Sequence, residues 1–367
     1  MSILSSFEVE FIPVGEGERS GDAILARWTE GDVHRVMVYD GGTKASGQRL
    51  VDHIKSHYKT TRVDYVVNSH PDNDHASGLS VVLEQLSVGE VWMHRPWDHS
   101  QIIRDYFHDG RITDESLKVR LQEKMAAAYK IETLAVEKGI PIKEPFQGMN
   151  IGPFKILSPE KDWYLHELVA DFAKSPKKKE SLESMMESAA STMTKAFQSV
   201  IRLIAEAWDM EYLRENVETS AENESSVILF ADFAGRGVML TGDAGVQALK
   251  RANDYALSQG IYLPGVLNFI QVPHHGSRNN VSTSTLDSII GLRQNEEELQ
   301  YTKTAFVSSG AKSETHPRRM VVNAFNKRGV KVYKTNGNTI RHHYKMPTRN
   351  WGPIEALPIS KEVEAWD

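Results

Sequence analysis

The chain has 367 residues, 40% of them hydrophobic, 8% aromatic and 25% charged, enough for one large or two ordinary domains with a sizeable core and unlike a disordered tail. A net charge of −6 advertises neither a nucleic-acid coat nor adsorption to a membrane, although a local basic groove is compatible with it. The sequence holds no cysteine, so disulfides and thiolate metal sites are excluded, and any transition-metal site must use histidine nitrogen and carboxylate oxygen.

In chain order, residues 7–14 alternate like a strand. Residues 22–28 and 34–40 form two more strands, joined by the short Glu30-Gly31-Asp32 turn of a hairpin. After Gly41-Gly42, the apolar positions Leu50 and Ile54 fall at helical spacing. Residues 63–68 form a short apolar strand that runs directly into Ser69-His70-Pro71-Asp72-Asn73-Asp74-His75.

The middle of the chain, residues 100–222, reads as a mostly helical insertion. Residues 117–137 and 181–216 are rich in Ala, Glu, Met, Leu and Lys, with a strand-like piece at 154–157 between them. Lys177, Lys178 and Lys179 belong to an exposed loop, a solvated linker or a phosphate contact. Met185, Met186 and Met193 suit either core packing or a partner-facing helix. Strands return at 226–231, 237–241, 266–272, 304–308 and 330–334. The divisions read from this pattern are an N-terminal half at 1–99, the insertion at 100–222, a C-terminal half at 223–345 and a tail at 346–367 with no informative motif. Strands in both halves with helices between them predict an α/β architecture of two sheets packed face to face with helices outside. No run approaches the roughly 18 apolar residues of a membrane span, and the first residues lack a signal-peptide pattern, so a cytoplasmic location is expected.

The dense cluster is His70-Pro71-Asp72-Asn73-Asp74-His75, with four potential ligands in six residues after an apolar strand. Imidazole nitrogen and hard carboxylate oxygen together can hold two divalent ions. A second element, Thr241-Gly242-Asp243, ends another strand. Asp243 there is either a metal-bridging carboxylate or the N-cap of a following helix. The third is Pro273-His274-His275-Gly276-Ser277. Adjacent histidines usually point apart, so one can ligate while the other serves a developing charge or orients a ligand. A weaker fourth element is Ser308-Ser309-Gly310 with His316-Pro317, where His316 is either functional or a plain helix-start residue.

These motifs resemble those of the metallo-β-lactamase fold. SHPDNDH looks like a variant of the H-x-H-x-D-H signature with Asp72 in place of the second histidine. Together with Val14-Gly15, Gly21-Asp22-Ala23, Asp40-Gly41-Gly42, LTGDA, PHHGS, SSG and His316-Pro317, the order resembles the hydrolase domain of the ComEC competence protein and its stand-alone relatives. The likeness spans about residues 7–97 and 223–340. It implies an αββα sandwich and a hydrolase with two divalent ions. By this resemblance His70 and Asp72 would hold one ion, Asp74 and His75 the other. Asp243 would bridge them, the His274-His275 pair would complete the site with His275 as ligand, and Asp40 would brace the loop. Asp74, His274 and His316 would serve catalysis, with Ser309 lining the substrate side. The family's isolated middle histidine has no clear counterpart; Asn223, Ser226 and His166 stand nearest to its place. The oxygen-rich set favours Mn²⁺ relative to Zn²⁺. Two such ions activate a water and clamp both oxygens of a displacement. The expectation is therefore phosphodiester hydrolysis, with DNA as substrate. The alternatives are a small phosphodiester or phosphorylcholine-type ester, or a protein partner docked on the insertion. ComEC's membrane channel has no counterpart in this chain.

Overall fold

Alternation along the first strand, β1 (Leu4–Phe11), separates an apolar face from an acidic one. Phe7, Val9 and Phe11 take one side, Glu8 and Glu10 the other. The molecule, a computed structural model, is described for residues 4–15, 21–107, 112–172 and 202–366. β1 pairs antiparallel with β2 (Ala23–Glu30), which forms a hairpin with β3 (Val33–Gly41). From β3 the sheet continues in parallel through β4 (Arg62–Val67), β5 (Ser87–Trp92) and the two-residue β6 (Ile142–Lys143).

The second sheet opens with β7 (Asn150–Ile151) and β8 (Phe154–Ser158) at one edge. A short β9 (Leu203–Ala205) lies outside it. β10 (Ile228–Asp232) pairs antiparallel with both β8 and β11 (Gly237–Leu240). β12 (Leu267–Gln271), β13 (Lys303–Val307) and β14 (Val330–Lys334) follow in parallel. β15 (Ile340–Tyr344) crosses back to pair with β1 in the first sheet, and β16 (Glu362–Glu364) pairs with β9.

Aromatic side chains fill the space between the two sheets. Phe11 of the first sheet meets Phe269 and Phe306 of the second at ring distances of 6.1 and 5.5 Å, and Trp28 meets Phe154 at 5.8 Å. Each such ring, fully buried, contributes about 1.5–3 kcal/mol. Helices Lys44–His53 and Asn73–Gln85 cover the outer face of the first sheet, and Ala126–Glu137 packs on Asn73–Gln85. Val246–Ser258 and Arg319–Asn326 cover the outer face of the second. The expected two-sheet αββα sandwich is the observed architecture, mixed α/β and consistent with the metallo-β-lactamase fold.

The expected strands coincide with β1–β4 and β10–β14. The middle segment differs from its helical reading in two places. The strand-like piece at 154–157 is β8, as expected, but residues 142–151 also supply β6 to one sheet and β7 to the other, pieces too short to show a period of two. Residues 202–216 hold the strand β9 and no helix, although Ala, Glu, Met and Leu favour one there; pairing with β16 overrides propensity. Helices Asp114–Lys124 and Ala126–Glu137 do lie in the expected stretch at 117–137. Lys177, Lys178, Lys179, Met185, Met186 and Met193 fall outside the described residues. No helix among the described residues is long and apolar enough to cross a membrane.

Candidate metal centre

The motifs that hold the candidate ligands follow the carboxyl ends of strands. Asp40 closes β3, and Ser69 and His70 follow β4. Asp243 follows β11, His274 and His275 follow β12, and Ser308 and Ser309 follow β13. Apart from the β10–β11 and N-terminal hairpins these strands run in parallel, so their ends open at one rim of the sandwich, where ligands bind in such sheets.

Three buried histidines converge there, and each has its Nδ1 engaged by an outer partner. The His75 Nδ1–H donates to Asp40 Oδ2 at 3.0 Å. The His275 Nδ1–H donates to the carbonyl of Ser308 at 3.1 Å. His70 Nδ1 lies 2.9 Å from Ser69 Oγ, whose own proton goes to Asp40 Oδ2 at 2.5 Å, so Ser69 accepts from His70. A carboxylate, a carbonyl and a committed hydroxyl can only accept, which leaves the Nε2 atom of each ring as its ligand atom.

Among the described residues, Nε2 of His70 and Nε2 of His75 are buried without a hydrogen-bond partner. They stand 3.8 and 3.4 Å from Asp243 Oδ2. The rings of His70 and His75 are 4.2 Å apart, those of His75 and His275 5.9 Å. Buried polar atoms are normally paired, so these orphaned nitrogens around a carboxylate fit a divalent cation. Ligand atoms of His75, Asp243 and His275 lie within 4.8 Å of one another, as do those of Asp40, His70 and His75.

Asp243 does not cap the helix that follows it. That helix begins at Val246, and its first amides, Gln247 N–H and Ala248 N–H, donate to Glu224 at 3.3 and 2.7 Å. With the cap supplied by Glu224, Asp243 is left to the histidines. Its backbone N–H donates to Ser226 Oγ at 3.1 Å, its carbonyl accepts from Asn280 at 2.8 Å, and its buried Oδ1 has no hydrogen-bond partner among the described residues.

The electrostatics follow from this crowding. Burial pushes the Asp243 carboxyl up, but His75, His274 and His275 outweigh it and hold the group well below its ordinary range. Burial pushes His75 down, but the Asp243 and Asp40 carboxylates outweigh it and hold the ring well above its ordinary value. His70, with burial and the neighbouring His75 charge both against protonation, is lowered.

The remaining motif residues divide. Asp72 occupies the N-cap position of helix Asn73–Gln85, yet its side chain makes no cap hydrogen bond; Oδ2 stands 3.7 Å from His70 Nε2. Asp74, in the first turn of that helix and half-buried, belongs to neither close group of ligand atoms. His274 is half-exposed and its Nδ1 bonds Asp243 Oδ2. His274 and His275 both have left-handed φ, 45° and 55°, a costly backbone, and their ring centroids lie 5.5 Å apart with both side chains turned to Asp243. Gly276 continues the turn at φ 81°, and the Arg318 N–H donates to its carbonyl at 3.0 Å. That bond brings the His316-Pro317 loop against the histidine pair. The His316 ring is held by Thr315 Oγ1 at 2.8 Å, and the Ser309 hydroxyl donates to the His316 carbonyl at 2.9 Å.

Of the three residues standing nearest to the missing histidine, Ser226 supports Asp243, and Asn223 donates to Thr219 Oγ1 at 2.7 Å. His166 is exposed and pairs with Tyr106. A further buried carboxylate, Asp22, stands 3.9 Å from His75 Nδ1. Its only signal in sequence was the Gly21-Asp22-Ala23 run, to which no role attached.

No curated protein matches the sequence. Among solved structures, the metallo-beta-lactamase SMB-1 bound to 2-mercaptoethanesulfonate is 9% identical, over 77% of this chain and 86% of its own, with a TM-score of 0.31. The subclass B3 enzyme MEM-A1, from a soil metagenome library, is 12% identical over 77% and 85%, with a TM-score of 0.29. A metallo-beta-lactamase of Cronobacter sakazakii with a HARLDQ motif is 15% identical over 42% and 52%, at 0.21. Residues 17–120, the stretch that holds Asp22, Asp40, His70 and His75, match the family model of the Metallo-beta-lactamase superfamily, and the chain carries a domain of that superfamily.

Proposed function

We propose that this protein is a metal-dependent hydrolase of phosphodiesters, acting on DNA through a centre for two divalent ions, Mn²⁺ or Zn²⁺. One observation carries the reading: three buried imidazoles have their Nδ1 atoms engaged outward, the Nε2 atoms of His70 and His75 stand 3.8 and 3.4 Å from Asp243 Oδ2, and His275 offers a ligand atom within 4.8 Å of those of His75 and Asp243. His75, Asp243 and His275 would hold one ion; His70, Asp72 and Asp243 would hold the other. Divalent ions supply a nucleophilic water at neutral pH and neutralise phosphodiester charge. Oxygen from Asp72 and Asp243 makes the set harder than an all-histidine one, which supports Mn²⁺. The order of the motifs, similar to that of the ComEC hydrolase domain, supports a phosphodiester over a lactam.

The chain's own residues divide the remaining work. Asp40 holds the His75 ring and the Ser69 loop in place. His274, half-exposed against Asp243, can hold a proton for a leaving oxygen; burial lowers its affinity, but the Asp243 carboxylate outweighs that and raises it. Asp74 is proposed to reach the second ion or orient the attacking water from the first turn of its helix, and His316 to flank the substrate.

A second reading, a small phosphodiester with a cationic headgroup such as a phosphorylcholine-type ester, is favoured by a cavity of about 520 Å³. Trp163, Glu167, Asp171 and Glu218 line it together with Thr219, which bonds Asn280 beneath Asp243. Acidic walls repel a polyanion and suit a cation.

The deciding experiment is hydrolysis of plasmid and linear DNA, and of a phosphorylcholine ester, with Mn²⁺, Zn²⁺, Mg²⁺ or chelator, beside His75→Ala. Metal-dependent DNA cleavage lost in the variant is the expected result. Turnover of the small ester alone would replace DNA by the second reading, and turnover of neither would overturn both.

A further inference from the structure

We propose that Asp22 is a positioning residue that sets the spacing between the two halves of the metal centre; the proposal rests on the metal-centre reading above. The ligands come from two separate sheets. His70 and His75 are carried by the first, Asp243 and His275 by the second. Something must hold the two rims in register to a fraction of an ångström if the ligand atoms are to meet.

Asp22 stands just before β2 in the first sheet and is 1% exposed. Its Oδ2 accepts from Gln271 Nε2 at 2.8 Å, and Gln271 is the last residue of β12 in the second sheet. Because Nε2 is committed to Asp22, the Gln271 amide can face only one way. Its Oε1 then accepts from the N–H groups of Thr241 and Gly242 at 2.9 and 3.0 Å, the two residues that lead into Asp243. Thr241 Oγ1 returns a bond to the Gln271 carbonyl at 3.2 Å. A chain of hydrogen bonds thus runs from Asp22 to the backbone that delivers Asp243.

The same Asp22 oxygen is 3.9 Å from His75 Nδ1, which adds negative charge behind a ligand ring already braced by Asp40. Gly21 fixes where this carboxylate stands. Its φ is +61°, and a Cβ there would lie 1.6 Å from the carbonyl oxygen of Asp74. The backbone before Asp22 is therefore pressed against the loop that carries His70 and His75.

A buried carboxylate beside Asp40 and Asp243 is costly in the protein without metal. A residue kept for stability alone would not be of this kind, and that difference gives the test. Metal-stripped wild type, Asp22→Asn and Asp22→Leu are titrated calorimetrically with Mn²⁺ and with Zn²⁺, and the thermal midpoint of each metal-free protein is measured. Asp22→Asn keeps an acceptor for Gln271 and removes the charge; Asp22→Leu removes both. The expected result is metal binding weaker by about 10-fold in Asp22→Asn and about 100-fold in Asp22→Leu, with the metal-free midpoint of Asp22→Asn equal to or above that of the wild type. Wild-type affinity in both variants overturns the proposal, as does an affinity loss accompanied by a matching fall in the metal-free midpoint of Asp22→Asn. Absence of metal binding by the wild type overturns the metal centre itself, and the role of Asp22 with it.

Discussion

The Tyr39 hydroxyl donates to the carbonyl of Val227 at 2.7 Å, a bond from β3 of one sheet to the residue before β10 of the other. The Val227 N–H in turn donates to the carbonyl of Ser69 at 3.0 Å, so this tie runs directly beneath the histidine cluster. Tyr39 is fully buried. Tyr39→Phe keeps the ring and strands the Val227 carbonyl, a loss of about 1–3 kcal/mol. Urea unfolding should show a lower midpoint with an unchanged m-value. An unchanged midpoint would mean that the carbonyl finds another donor.

Asp40 gathers three donors: Ser69 N–H at 2.7 Å, Ser69 Oγ–H at 2.5 Å and His75 Nδ1–H at 3.0 Å. An amide in its place offers fewer acceptor sites and presents two hydrogens of its own. In Asp40→Asn one of these donors faces another donor, and the His75 and His70 tautomers are no longer enforced. Metal affinity should fall about 10–100-fold, read by calorimetric titration. Retained affinity would show that the ring orientations are set by packing alone.

How much of this was legible depended on whether the determinant was local. The loops His70–His75, Thr241–Asp243 and His274–Gly276 stood out because each follows an apolar strand, and the carboxyl ends of parallel strands meet at one rim. Asp22 was not legible as part of the centre, because its partner Gln271 is 249 positions away and a lone Asp before a strand looks like any strand start. β6 and β7 are two residues each, below any period. The tail from 346 carries no motif, yet Arg349 reaches the buried Glu8 and Glu10 at 3.1 and 2.6 Å. Glu364, from the same tail, caps helix Arg319–Asn326 through the Arg319 N–H at 2.9 Å. Such long-range charge pairing is visible only once the chain is folded.

Gly276 is required by two independent constraints. Its φ of +81° lies in the left-handed region, and a Cβ there would sit 2.5 Å from Pro317 Cβ and 3.0 Å from Pro317 Cα. Gly276→Ala should destabilise by more than about 1 kcal/mol and push the His316 loop off the histidine pair. Chemical denaturation gives the first quantity. Proton resonances of His316 and His274, perturbed together, would report the second. An alanine variant as stable as the wild type would show that the loop yields freely.

His94, just beyond β5, is buried with its Nε2 unpaired among the described residues, stacked on Tyr164 at 4.3 Å and tilted against Phe146 at 4.9 Å. Burial lowers its pKa from 6.5 to about 4, outweighing the opposing pull of Glu144. The unfolded chain therefore binds a proton that the folded protein refuses between these two values. Stability supplied by the neutral ring is complete above pH 6.5 and is lost as pH falls toward 4, by about 3 kcal/mol over that window. Replacing the ring by His94→Phe preserves the stacking and removes the titration. The wild type should lose stability more steeply than His94→Phe between pH 6.5 and 4 in denaturant unfolding, while the two stay within about 1 kcal/mol of each other at pH 7. Parallel curves through the window would mean that His94 takes up its proton without leaving its place, and that the pocket admits water to receive it.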